Sequence, residues 1–250
     1  MLVQEVVEKY PDRVVFSSEN LGESKLAEQF GVKGYPAIFV DGVLVALPRD
    51  FGYFGGDEKT GRYAPWRDPR SHEKFKQDMT RMIDLILSGK REDVVQERGA
   101  YTGEQGIQSL PAFSLTDLQG KPLTAAQATG RVVVAEFWAT WCPPCRSTLG
   151  WLGDLHKKYE DNIAVLALAV GSPEDDVRKT VTGLSQDLHW AITTPEVGRA
   201  FGDVVSVPTL FIFDRQGHTA AVWYGAPPDL HEKAEKVIDS LVKGAGATGK

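Results

Sequence analysis

The pattern of apolar residues divides the chain into predicted strands and helices. Val132 to Trp138 is an apolar run, interrupted by one glutamate, whose length and β-branched content predict a buried strand. After a break at residues 139–141, an amphipathic pattern of helical period runs to about Tyr159. Similar patterns predict a strand over Ile163 to Val170, a helix capped by Ser172 that runs to about Leu188, a short helix from Thr194 to near Phe201, a strand over Thr209 to Phe213 and a last helix over Asp229 to Lys243.

The first half of the chain repeats features of the second half at low identity. Residues 7–16 (VEKYPDRVVF) align with residues 156–165 (HKKYEDNIAV), and residues 30–40 align with residues 201–213. Both halves predict a helix end, a turn and a strand, followed later by a second strand that comes directly after a proline. We therefore interpret the chain as two units of one α/β fold, arranged as an internal repeat.

The first unit is predicted to contain a strand near Val14–Phe16 and a hairpin that turns at Asp41-Gly42. Residues 48–70 show no periodicity and carry five aromatic residues, which either form a partner-binding loop or, as we favour, cover the core. A helix follows over Ser71 to Leu87. The predicted organisation is a first unit at 1–88, a linker at 89–109, a second unit at 110–243 and a disordered tail at 244–250.

The alignment of the two halves places the central strand of the first unit before Met1. Without that strand two ladders would lack partners, and buried unpaired N–H and C=O groups are costly. We therefore expect the natural protein to begin upstream of Met1. The alternative is a degenerated unit in which another segment fills the gap. This unit has no cysteine, and we interpret it as a docking or structural module.

The chain's two cysteines, Cys142 and Cys145, form a C-P-P-C motif where the predicted strand gives way to the helix. Unpaired N–H groups and the positive end of the helix dipole favour a thiolate at Cys142. Cys145, one turn further on, is placed to attack a mixed disulfide formed at Cys142. A zinc site needs four ligands, and a disulfide across three residues constrains little of the unfolded chain. The motif therefore indicates a redox-active pair.

The run F-W-A-T-W-C-P-P-C-R at residues 137–146 resembles the active-site segment of the thioredoxin superfamily, and most of all that of TlpA/ResA-like thiol-disulfide oxidoreductases. Residues 110–120 (LPAFSLTDLQG) resemble the opening of such domains. The resemblance implies two thioredoxin-like units, each a mixed sheet flanked by helices, the first without its leading strand and C-x-x-C. It also implies an enzyme in which Cys142 attacks a protein disulfide, Cys145 resolves it and a partner resets the pair, with no cofactor or metal.

The same resemblance assigns further roles. Val207-Pro208 resembles the family's cis-proline segment, which lies opposite the thiols, and the backbone of Val207 would pair with an extended substrate. Trp141, Pro143 and Pro144 are predicted to form part of the docking surface. The alternative for Pro208 is an ordinary edge-strand proline.

Glu136 stands where thioredoxins hold a buried acid that assists proton transfer. A carboxylate in an apolar strand is desolvated, hence harder to ionise and suited to proton exchange. The alternative is that Glu136 faces solvent. ResA-like proteins carry a glutamate six residues after the first cysteine, whereas this chain has Thr148 there.

Composition narrows the range of partners. The net charge of −6 argues against nucleic-acid or anionic-membrane binding, and no apolar run approaches the length of a membrane span. The resemblance implies work outside a bacterial cytoplasm if an export signal precedes Met1, and otherwise in the cytoplasm. Two alternatives stay open: a copper carrier like the Sco proteins, which use C-x-x-x-C and a histidine, and a thiol peroxidase, whose P-x-x-x-T-x-x-C signature this chain does not contain. Sequence does not fix the direction of exchange.

Overall fold

A computed structural model describes residues 2–19, 24–32, 36–52, 61–98, 107–185, 187–202, 204 and 206–244. The chain separates into two compact units, residues 1–104 and residues 105–250. Helices and strands together make an α/β protein, as predicted. The tail predicted to be disordered lies outside the described residues, except for Gly244, which ends the last helix.

The first unit pairs a small hairpin with helices. Its elements are α1 (Leu2–Val7), α2 (Lys25–Gln29), β1 (Ile38–Val40), β2 (Val43–Ala46), α3 (Pro69–Leu87) and α4 (Arg91–Arg98). Strands β1 and β2 are antiparallel. Asp41 and Gly42 join them with φ of 47° and 72°, the left-handed values that a two-residue hairpin turn needs. The predicted hairpin is therefore present.

The core of the first unit lies between the hairpin and α3. Phe75, Met79, Met82 and Ile83 form the buried stripe of α3, and Val45 of β2 packs into the same cluster. The irregular segment after β2 adds aromatic rings to this core. Phe51 packs edge-on against Trp66 with ring centroids 4.7 Å apart, and Tyr63 packs against Phe75 at 5.2 Å. These rings cover the core, which is the favoured of the two interpretations of residues 48–70. Tyr53 and Phe54 lie outside the described residues.

Two predictions for the first unit are wrong. No strand forms at Val14–Phe16, where Val15 is 92% exposed, because no described strand pairs with this segment. The predicted linker at 89–109 contains α4, because Val94 is fully buried and belongs to the core of the first unit. Residues 99–106 of the predicted linker lie outside the described residues.

The second unit is built on a five-stranded mixed sheet. Its elements are β3 (Ser114–Thr116), β4 (Pro122–Thr124), β5 (Val132–Trp138), α5 (Pro143–Tyr159), β6 (Ile163–Ala169), α6 (Glu174–Val181), β7 (His189–Ile192), α7 (Pro195–Ala200), β8 (Thr209–Phe213), β9 (Thr219–Tyr224) and α8 (Leu230–Gly244). The strand order is β7-β6-β5-β8-β9. Strands β5, β6 and β7 are parallel, while β8 runs antiparallel to both β5 and β9.

The central strands of this sheet are buried on both faces because helices cover them, and Glu136 of β5 is their one ionisable side chain. All seven residues of β5 and all seven of β6 are buried. Helix α5 contacts β6, and α8 contacts β5 and β9. Helix α6 ends at Val181, seven residues before the predicted end, and the following residues lead into β7, which the sequence patterns did not predict.

Candidate active site

The C-P-P-C motif joins the central strand β5 to the N-terminus of α5. Cys142 is the N-cap residue of α5 and Pro143 its first helical residue. The backbone N–H of Cys145 donates to Cys142 Sγ at 3.3 Å. Sulfur thus takes the position of the oxygen of an ordinary capping side chain. The structure contains the disulfide between Cys142 and Cys145, whose Cα atoms lie 5.4 Å apart.

The residues that flank Cys142 in the sequence are exposed and apolar. Cys145 is fully buried and Cys142 is 3% exposed, so Cys142 is the outer of the two cysteines. Trp141 is 53% exposed, and Pro143 and Pro144 are exposed as well. The indole N–H of Trp141 donates to the Gly171 carbonyl at 2.9 Å, which fixes the ring at the rim of the motif.

Ser172 holds the loop that leads into the motif. Its Oγ accepts from the backbone N–H of Thr140 at 3.0 Å and donates to the Val170 carbonyl at 2.9 Å. The prediction that Ser172 caps the following helix is wrong: the N-cap position of α6 is Pro173, and no side chain caps it. The serine is engaged instead by the loop after β5, a tertiary contact that local sequence does not encode.

Pro208 lies beside the end of β5. Thr209, the first residue of β8, pairs with Phe137 near the end of β5. Pro208, one residue earlier, therefore lies beside the end of β5, where the chain enters the C-P-P-C motif. The Val207–Pro208 peptide bond is cis, as the resemblance implied. Both residues are buried, and the Pro208 carbonyl accepts from the Gly225 N–H at 2.7 Å.

Glu136 is completely buried in the middle of β5, which excludes the solvent-facing alternative. Its Oε1 is hydrogen-bonded to the hydroxyl of Thr148, while Oε2 has no partner among the described residues. Burial raises the pKa of Glu136 from an ordinary 4.5 to about 8, and the hydrogen bond from Thr148 opposes this shift. A carboxyl group with this pKa can hold or release a proton near neutral pH.

Thr148 is the residue at this site that the sequence-based interpretation did not assign a role. It is 2% exposed, and its hydroxyl also donates to the Cys145 carbonyl at 2.8 Å. Its position three residues after Cys145, on the same face of α5, was the available signal, because residues three apart on a helix are neighbours.

The structure thus places the two cysteines, Glu136 and the cis-proline segment around the second half of β5 and the loop that follows it. Among the described residues, no group of three or more histidine, cysteine or acidic side chains is arranged to hold a metal ion. In the same part of the chain, no helix has the length and apolar character needed to cross a membrane.

Comparison with known proteins places this site in a family. Residues 106–222 match the AhpC/TSA family. The chain is 37% identical over 118 residues to the thioredoxin-like protein YneN of Bacillus subtilis, covering 46% of this chain and 69% of that protein. It is 29% identical over 142 residues to the thiol-disulfide oxidoreductase ResA of Bacillus cereus, covering 54% of this chain and 80% of ResA.

A solved structure supports the same assignment. A protein from Chlorobium tepidum assigned as thiol:disulfide interchange protein DsbE superposes with a TM-score of 0.51 and 27% identity, covering 55% of this chain and 98% of that one. Fold and site define a thioredoxin-like protein. The chain belongs to the AhpC/TSA family of thioredoxin-like proteins, among the thiol-disulfide oxidoreductases. For the second unit, the predicted thioredoxin-like family, fold class and enzyme class are confirmed, while the thioredoxin-like character of the first unit stays a prediction.

Proposed function

We propose that this chain exchanges disulfides with protein substrates through Cys142 and Cys145. The observation that carries the proposal is the Cys142–Cys145 disulfide at the N-terminus of α5, with a backbone N–H directed at Cys142 Sγ. The same N–H would stabilise a thiolate after reduction, and the thiolate is the nucleophile of disulfide exchange. Cys142, as the outer cysteine, is the attacking residue, and the buried Cys145 resolves.

The two thiols of Cys142 and Cys145 supply both electrons that reduce the substrate disulfide. The Cys142 thiolate attacks one sulfur of a substrate disulfide, and the other substrate sulfur leaves as a thiolate. Cys145 gives its thiol proton to the Glu136 carboxylate and attacks Cys142 Sγ, so the bond to the substrate breaks and the second substrate sulfur leaves. Two electrons pass to the substrate, and an external dithiol partner then reduces the pair again.

Substrate recognition is proposed to use the rim of the motif and the segment before β8. Trp141, Pro143 and Pro144 offer an exposed apolar surface beside Cys142. The backbone of Val207 is proposed to pair with an extended substrate segment as a short strand, since Val207 precedes β8 beside the end of β5 that leads into the motif. Pro208 contributes by having no N–H of its own at this position.

Single-cysteine variants test the proposal. Cys142→Ser should reduce turnover of a protein disulfide such as that of insulin to the uncatalysed rate. Cys145→Ser should retain attack but accumulate a mixed disulfide with the substrate, visible by mass spectrometry and released by dithiothreitol. Ser147→Ala, an exposed change on the same helical turn, is the matched control and should leave turnover unchanged. Full turnover by Cys142→Ser would refute the assignment.

A further inference from the structure

The hydroxyl of Thr148 lies between two acceptors and has one proton to give. It donates to the Cys145 carbonyl at 2.8 Å and is hydrogen-bonded to Glu136 Oε1. A hydroxyl group carries a single donor and two acceptor lone pairs. When Glu136 is protonated, its O–H can donate to Thr148 while Thr148 donates to Cys145. When Glu136 is ionised, the Thr148 proton must turn to the carboxylate and leave the Cys145 carbonyl.

We propose that Thr148 is a positioning residue that makes ionised Glu136 tolerable in the core and couples its protonation to the helical turn that carries Cys145. This inference rests on the proposed function, in which Glu136 accepts the thiol proton of Cys145. It adds that the acceptor works only because the threonine hydroxyl can reverse its hydrogen bond. Thr148 of α5 is thereby the hydrogen-bond partner of a glutamate on β5.

In the described part of the chain, the elements around Glu136 place no other group in position to stabilise its ionised carboxylate. Strands β6 and β8, which flank Glu136, contain no ionisable side chain over Ile163–Ala169 and Thr209–Phe213. Helix α8, which contacts β5, buries Leu230, Ala234 and Ile238. Helix α5 buries Cys145 and, at its far end, Tyr159, while its charged side chains are exposed at Arg146, Asp154, Lys157 and Lys158 and His156 is half-buried.

No charge therefore compensates an ionised Glu136 from these elements, and the Thr148 hydroxyl is the hydrogen-bond donor that the described residues supply. Hydrogen bonds to charged groups are among the strongest side-chain interactions in a protein. Removing the hydroxyl should therefore keep Glu136 protonated to higher pH. A protonated Glu136 cannot take the Cys145 proton, so resolution of the mixed disulfide should slow at neutral pH and recover at higher pH.

The test uses the whole chain with Thr148→Val, which keeps the shape but not the hydroxyl, and Thr148→Ser, which keeps the hydroxyl. Titration of the Glu136 carboxyl by ¹³C NMR in the oxidised protein requires no turnover, and Glu136→Gln identifies its signal. We expect the pKa of Glu136 to rise by about one pH unit in Thr148→Val, a tenfold change in ionisation, and to stay near the wild-type value in Thr148→Ser. The acid limb of the pH profile of disulfide reduction should move by the same amount.

An unchanged Glu136 titration in Thr148→Val would overturn the inference and leave the proposed function standing. The proposed function fails separately, if Cys142→Ser retains full turnover. A pH profile of reduction that is unchanged in Glu136→Gln would overturn the inference instead, because Glu136 would then not take the Cys145 proton. If Thr148→Val does not fold, Thr148→Ala removes the hydroxyl without adding bulk and is titrated in its place. A shift in Thr148→Ser as large as that in the valine variant would also count against the role of the hydroxyl.

Discussion

At the scale of single residues, Glu136 links the chemistry of the site to the stability of the fold, because burying its ionised carboxylate is unfavourable. An acid with no exposed surface, and with one oxygen that has no partner in the described part of the chain, is held in the core most easily as the neutral carboxyl. The unfolded chain, by contrast, ionises the same group near its ordinary pKa. The native state therefore binds more protons than the unfolded state between these two values. Proton exchange at the site and the pH dependence of stability share this one cause.

This difference predicts that the oxidised protein loses stability as pH rises. The pKa of Glu136 is raised from 4.5 to about 8 in the folded state, so the loss begins above pH 4.5 and is complete above about pH 8. The slope from one such group is at most about 1.4 kcal/mol per pH unit. Glu136→Gln, which has no charge to lose, should remove this slope. Urea unfolding of both proteins at pH 5.5, 6.5 and 7.5 measures it, and parallel pH dependences would contradict the prediction.

At the scale of elements, α8 fixes the helix that carries the cysteines. Trp151 and Tyr159 of α5 donate to Glu235 and Asp239 of α8 at 3.0 and 2.7 Å. Burial of Ile238, which is fully inaccessible, anchors α8 to the second unit's core. The orientation of the motif helix is thus maintained from its far side.

The packing of α8 leads to a stability prediction. Ile238→Ala should destabilise the second unit by about 2–5 kcal/mol, because it removes buried methyl groups and leaves a cavity. Ser240→Ala, two residues further and exposed, should change stability by about 0.5 kcal/mol or less. Denaturant unfolding followed by tryptophan fluorescence measures both. Equal effects of the two changes would mean that α8 does not pack as the structure shows.

Elements with dense, unbroken apolar patterns were predictable, and those fixed by distant partners were not. The apolar run at Val132–Trp138 forms β5 at its predicted bounds, since a strand buried on both faces needs no alternation. The run at Val14–Phe16 has similar residues but no ladder partner among the described strands, so it forms no strand and leaves Val15 92% exposed. Strand β7 was missed because its four residues are specified by pairing with β6.

The residues of the site also differ in how far sequence alone predicts them. The positions of the cysteines followed from the strand–motif–helix order, and the burial of Glu136 from its apolar neighbours. The roles of Thr148 and Ser172 did not follow, because each depends on an atom brought close by tertiary packing, Oε1 of Glu136 and the N–H of Thr140. Local sequence predicts a helix cap at Ser172 because serine is favoured at that position.

At the scale of the whole molecule, the chain contains two separate cores. The first unit buries Met82 between its hairpin and helices, and the second buries Ile238 against the redox sheet. Each core is formed by residues of its own unit, and the two cysteines lie in the second unit. The division into units predicts which properties a core substitution will change.

Met82→Ala tests this division. The change should destabilise the first unit by about 2–5 kcal/mol, because Met82 is fully buried in that core. The reduction potential of the Cys142–Cys145 pair should stay within about 10 mV of the wild type, where 30 mV corresponds to about 1.4 kcal/mol for a two-electron couple. Hydrogen exchange resolved by residue measures the first effect, since amides of α3 should lose protection while those of β5 keep it. A loss of protection in β5 equal to that in α3, together with a shifted potential, would show that the two cores unfold as one.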